Sequence, residues 1–211
     1  MNAGGHGLFL PKLVMRQIVI IALCCGWVAC KGPEKKVKER EKIQSGAYSP
    51  AFYQSVDGAL NGYYQLTEAF VNWDTTNIVI LARELFKKID SLPVNEIRVT
   101  DQRSAGVSLM EARNDLNVMM LNNSIAEKRH GLNALTGHIY DFLNTCRYDH
   151  SKIFLQQCPM AFNDEQPGVW LSAADSIRNP YLGLHHPRYG KAMLDCGENK
   201  SAIDYSSKEA R

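Results

Sequence analysis

The chain has 211 residues, of which 45% are hydrophobic, and a formal net charge of +2. That length holds one globular domain plus a targeting or linker segment, and so even a charge balance speaks against disorder and against a nucleic-acid partner. No phosphate-cradling glycine loop, HExxH or GxSxG occurs, which argues against the common nucleotide-binding and hydrolytic classes and leaves no catalytic residue to assign.

Ile18 to Trp27 form a short apolar run that ends in Val28-Ala29-Cys30. The run is too short to span a bilayer comfortably, so residues 1–29 are read as a signal peptide rather than an anchor. Met15-Arg16 supplies a natural start and a positive n-region, so residues 1–14 are read as lying upstream of the true start or as otherwise dispensable. A small residue directly before Cys30 resembles a bacterial lipoprotein signal, in which cleavage frees a cysteine for lipidation. Trp27 departs from the leucine usual three positions earlier, and an ordinary secretory signal with incidental cysteines is the alternative. Lipidation would leave Cys146, Cys158 and Cys196 as the mature thiols out of 6 cysteines, an odd number that keeps one unpaired. Residues 30–47, rich in Lys and Glu, read as the lipidated cysteine and a charged, solvated tether.

From residue 48 the pattern becomes helical. Ser49-Pro50 predicts an N-cap followed by proline at the first helical position, with Phe52, Val56, Leu60, Tyr63, Tyr64 and Phe70 recurring near helical spacing. Gly58 and Gly62 weaken this helix and are read as packing positions. Asp74 caps a second helix, Thr75 to Ile89, with Ile78, Leu81, Leu85 and Ile89 on one face and Ser91-Leu92-Pro93 ending it. A third, Ser104 to Leu121, carries Val107, Met110, Leu116, Val118, Met119 and Leu121, its methionines being read as core filler. A fourth runs from Ser124 to near Cys146 with Leu132, Leu135, Ile139, Phe142 and Leu143. The expected fold is mainly α: a four-helix antiparallel bundle with a small C-terminal β-hairpin and loop segment. The hairpin strands are predicted at Lys152 to Gln156 and Val169 to Leu171, packing through Phe154, Trp170 and Tyr181. Asn179-Pro180-Tyr181 is turn chemistry, and Asp175 with Arg178 is read as a surface pair. Residues 48–198 form the expected domain and 199–211 a polar tail.

The stretch with most chemistry runs from Cys158 to Cys196. It opens Cys158-Pro159-Met160-Ala161 and closes Met193-Leu194-Asp195-Cys196-Gly197, so a thiol and a thioether stand at each end. Two positions apart in an extended segment, Cys158 and Met160 share a side; three apart in a helical turn, Met193 and Cys196 share a face. If the ends meet, Cys158, Met160, Met193 and Cys196 surround one soft ion, for which sulfur donors select Cu(I) over Zn(II). His130, His185 and His186 are additional candidate ligands. The competing expectation is a Cys158–Cys196 disulfide, favoured by an oxidising compartment and closing about 38 residues for roughly 4 kcal/mol in the chain-entropy model. Two buried, inert thiols, or pairing of Cys146 with Cys158, are further alternatives.

Glu127-Lys128-Arg129-His130-Gly131-Leu132-Asn133-Ala134-Leu135, the two sulfur motifs, Trp170-Leu171-Ser172 and Ile177-Arg178-Asn179-Pro180-Tyr181 resemble, in order, the bacterial domain-of-unknown-function 3347 family. The resemblance covers roughly residues 48 to 198, and its specific motifs lie in the C-terminal half. It implies a secreted or lipoprotein chain associated with periplasmic adaptors of heavy-metal efflux systems, hence a copper or other soft-metal connection. Residues 182–190, with their His185-His186 pair, intervene where the family has only a few residues. The combined expectation is an extracytoplasmic lipoprotein that captures, buffers or delivers copper. It is held to the membrane by lipid, has an efflux adaptor as candidate partner, and is not an enzyme. A disulfide-stapled interaction module of the cell envelope is the alternative.

Overall fold

A computed structural model describes Met1 and residues 48–206. The signal peptide, the lipidation of Cys30 and the tether lie outside the described residues, as does the end of the polar tail. The described fold is mainly helical, with four helices and an antiparallel sheet. Among the described residues no helix is long and apolar enough to cross a membrane.

Helix α1 spans Pro50–Val71. Ser49 accepts the Phe52 amide at 3.1 Å, satisfying one of the orphan donors of the first turn, and Pro50 has no amide to satisfy. Its inward face carries Phe52, Val56, Leu60, Tyr63, Leu66 and Phe70, all buried. Helix α2 spans Thr75–Asp90, with Asp74 accepting the Asn77 amide at 3.0 Å. It lies close to α1 at Gly62, where an added Cβ would come within 3.3 Å of the Lys88 side chain. A 3-10 turn, Val94–Glu96, leads into helix α3, Val99–Leu121. Helix α4 spans Ile125–Thr145 and is capped by Ser124. Successive helices pack against one another, and α1 and α4 also carry the sheet.

Helix α3 differs from expectation in its start and in its face. It begins five residues before Ser104, through a polar turn with no apolar repeat to announce it. Its buried side is Ala105, Leu109, Ala112, Leu116 and Met119, whereas Val107, Met110, Val118 and Leu121 are exposed. Two alanines on the core side let the helix approach closely and leave the larger apolar residues outside. Met110 is therefore not core filler.

The hairpin is part of a three-stranded sheet in the order β2-β1-β3, with β1 at Ile153–Phe162, β2 at Gln166–Ser172 and β3 at Glu198–Ile203. Strand β3 takes in residues read as polar tail. Only Ile203 in it is buried, so it offers no period-2 apolar signal. It is a charged outer strand of the kind that discourages edge pairing. The other edge, β2, is covered by helices: its Val169 amide donates to Asn133 Oδ1 at 2.9 Å and its Leu171 amide to Tyr63 Oη at 3.1 Å. Tyr63 Oη also lies 2.7 Å from Thr136 Oγ1. This buried contact ties α1, α4 and β2 together and fixes the sheet on the helices. Trp170 and Tyr181 are buried as expected, while Phe154 is only half-buried, its ring beneath the Lys152 ammonium.

Candidate functional site: a buried thiol pair

Strand β1 places Cys158 opposite Gly168 of β2 and buries it completely. A side chain at position 168 would strike Ala161 at 2.7 Å and Tyr181 at 2.9 Å, so only glycine admits the tyrosine ring there. The register shifts between Cys158 and Phe162, and the alternation of faces breaks at Ala161–Phe162, both buried, while Met160 is half-buried.

Cys196 arrives by a different route. A 3-10 turn at Lys191–Met193 brings the chain back, and the Cys196 amide donates to the Met193 carbonyl at 3.1 Å. Asn179 then anchors the segment. Its amide group donates to the Cys196 carbonyl at 2.7 Å, and its Oδ1 accepts the amides of Tyr181 and Leu182 at 2.8 and 3.0 Å. The Asn179 backbone amide donates to the Leu194 carbonyl at 2.8 Å. The Asn-Pro-Tyr turn is thus the clamp that delivers the second cysteine. Gly197 completes it: at φ +148° a Cβ would lie 2.9 Å from both the Gln157 carbonyl and the Trp170 ring.

The result is a contact between Cys158 Sγ and Cys196 Sγ at 3.4 Å, both thiols being free. A disulfide needs about 2.05 Å, so the pair is in van der Waals contact and unbonded. The separation is less than twice a metal–sulfur bond of about 2.3 Å, so both sulfurs can reach one ion. Burial, together with the hydrogen bond and the charge of Cys158, pushes the Cys196 thiol up to about 11. Met160 and Met193 are half-buried and pack against the same core.

Cys146 plays no part in this pair. It is buried at the end of α4, its thiol donates to the Leu143 carbonyl at 3.5 Å, and burial raises its pKa to about 12. A thiolate nucleophile is disfavoured there. Nor do the histidines join the sulfurs. His130 stacks on Phe162 with ring centres 4.1 Å apart, His186 stacks on Tyr189 at 4.9 Å, and His185 is exposed. Among the described residues no three His, Cys, Asp or Glu side chains converge as a metal site would require.

Two features were missed by sequence reasoning. Arg178 pairs not with Asp175 but with Glu68 of α1, through Nε and Nη2 at 2.6 and 2.5 Å. His130 and His186 line a cavity of their own, together with Arg129. No protein-family model, curated protein or solved structure matches the chain.

Proposed function

We propose that this chain is an extracytoplasmic, lipid-anchored protein whose Cys158–Cys196 pair binds a soft metal ion, copper as Cu(I), for capture, buffering or delivery to an efflux system. The helices are read as an antiparallel bundle that presents the thiol pair at its sheet. The observation that carries the reading is the 3.4 Å contact between two free thiols, approached from β1 and from the Asn179-clamped segment. Soft thiolates select Cu(I), which accepts few ligands, and Met160 and Met193 stand near in sequence as additional soft donors. The ordered motifs resembling the 3347 family support the metal-efflux association and the adaptor as partner. Each bound ion would displace the thiol protons.

The same contact favours a second reading, a disulfide staple in an interaction module, because two thiols packed this closely outside the cytoplasm oxidise readily. Thiol counting on full-length protein, purified with and without oxygen, followed by competitive Cu(I) titration, separates the two. The metal reading predicts a reduced pair, one tightly bound Cu(I) per chain, and affinity lowered by about tenfold or more, or roughly 1.4 kcal/mol, in Met160→Ala/Met193→Ala. A pair that stays oxidised under reductant would favour the staple. Unchanged affinity in the double variant would remove the methionines from the site.

A further inference from the structure

Residues 182–190 lie between the Asn179 turn and the segment that carries Cys196, and they are pinned at both ends. Upstream, the Leu184 amide donates to the Val71 carbonyl at 2.8 Å, and Gly183 sits so close that a Cβ there would strike the Val71 backbone. Downstream, the Ala192 amide donates to the Tyr189 carbonyl at 3.1 Å. Between these anchors the chain doubles back, and His186 stands at the centre of the turn. Its carbonyl accepts the Gly190 amide at 2.8 Å, while its ring Nδ1 faces two further amides, those of Arg188 at 3.2 Å and Tyr189 at 3.4 Å. The half-buried ring stacks on Tyr189 and meets the Trp73 ring edge-on, with centres 5.3 Å apart.

Backbone amides can only donate, so Nδ1 must accept, which fixes the neutral imidazole as the Nε2–H tautomer. A proton added to Nδ1 would point at two N–H groups and cancel both bonds. Geometry alone therefore sets protonation against the closed turn. The imidazole does what an asparagine side chain does in an Asx turn, with the difference that it titrates.

The surroundings act in the same direction. Burial comes first, then Arg129 of α4 and Arg188 of the loop itself, and together they lower the His186 pKa. Asp164, on the turn between β1 and β2, opposes them but is paired with Arg188. His130 of α4 lines the same cavity as His186, with its ring stacked on Phe162. With a folded-state pKa below the ordinary histidine value, the closed turn is fully favoured above that ordinary value. It loses this advantage as pH falls through the lowered one.

We propose that His186 is an acid-sensitive latch: uncharged, it closes residues 186–190 against Trp73, and protonated, it releases them and opens the cavity wall formed by His186, Pro187 and Arg188. The inference is independent of the thiol pair and of any metal it holds.

The test is NMR on the full-length protein in detergent, following the His186 ring and the Arg188 and Tyr189 amides as pH falls from about 8 to about 4. Both amides are expected to move with the ring along one titration curve, below the ordinary histidine value. In His186→Asn, whose Oδ1 can accept the same amides without titrating, they should keep their closed positions throughout. In His186→Ala, which has no acceptor, they should sit at the released positions at every pH and exchange with solvent at least about tenfold faster at neutral pH. His130→Gln should leave the transition in place, and the β1 amides report that each variant is folded. Amides that ignore the titration of His186 would overturn the proposal, as would a transition that persists in His186→Asn or vanishes in His130→Gln. A His186 pKa at or above the ordinary histidine value would overturn it as well.

Discussion

Cys196 is held as a thiol by its position. Burial comes first, then the hydrogen bond and charge of Cys158, and together they place its pKa at about 11. Metal binding must remove that proton, so the affinity of the reduced protein for Cu(I) should rise about tenfold per pH unit between roughly pH 6 and pH 9 for this thiol alone. Competitive titration at several pH values checks it, and a flat profile would mean that Cys196 is not a ligand. Glu68 behaves in the opposite sense. Its bond to Arg178 holds its carboxyl below the ordinary value, so its contribution is present at neutral pH and fades as pH falls through that lowered pKa. Both partners are about half exposed, which limits the pair to less than about 1 kcal/mol. Arg178→Ala should lose that amount in urea unfolding at neutral pH and nothing in strong acid. Local turn chemistry made Asn179 legible in the sequence. The partner of Arg178 was not, because Glu68 lies 110 positions away and only the folded chain brings it near.

At the scale of elements, the caps were the most readable feature. Ser49, Asp74 and Ser124 each accept an amide from the first turn of their helix, and these bonds depend only on neighbouring residues. Faces were harder. In α3 the apolar side chains lie on two sides, and two alanines decide which side is buried, a choice that periodicity alone does not reveal. Leu116, fully buried, should cost about 2–5 kcal/mol as Leu116→Ala, whereas Val107→Ala, half-exposed, should change stability by less than about 0.5 kcal/mol. Gly58 has no atom within 4 Å of where a Cβ would stand. Gly58→Ala should therefore stabilise α1 by about 0.5–1 kcal/mol in chemical denaturation. Strand β3 escaped notice because an exposed edge strand needs no apolar alternation.

For the whole molecule, the thiol pair joins β1 to the segment that enters β3, across a sheet whose other edge is sealed by Tyr63 and Asn133. The meeting of Cys158 with Cys196 stood in the sequence only as a condition, because Pro159 beside the first sulfur lies within β1 and does not mark a turn, and the Asn179 clamp that delivers the second is 17 positions away. The placement of the histidines was not legible, since adjacency in sequence says nothing about which cavity a loop side chain faces. Oxidation of the pair should raise the melting temperature, by an amount corresponding to at most about 4 kcal/mol for a loop of this length. Cys196→Ser should abolish that redox dependence and Cys146→Ser should preserve it; the reverse pattern would mean that the reactive pair is a different one. The most direct measurement of the central proposal is X-ray absorption at the copper edge on reduced full-length protein loaded with one equivalent of Cu(I). The account predicts a first shell of sulfur only, reduced in Cys158→Ser and Cys196→Ser. A shell dominated by nitrogen or oxygen, or copper that stays with a competing chelator, would contradict it.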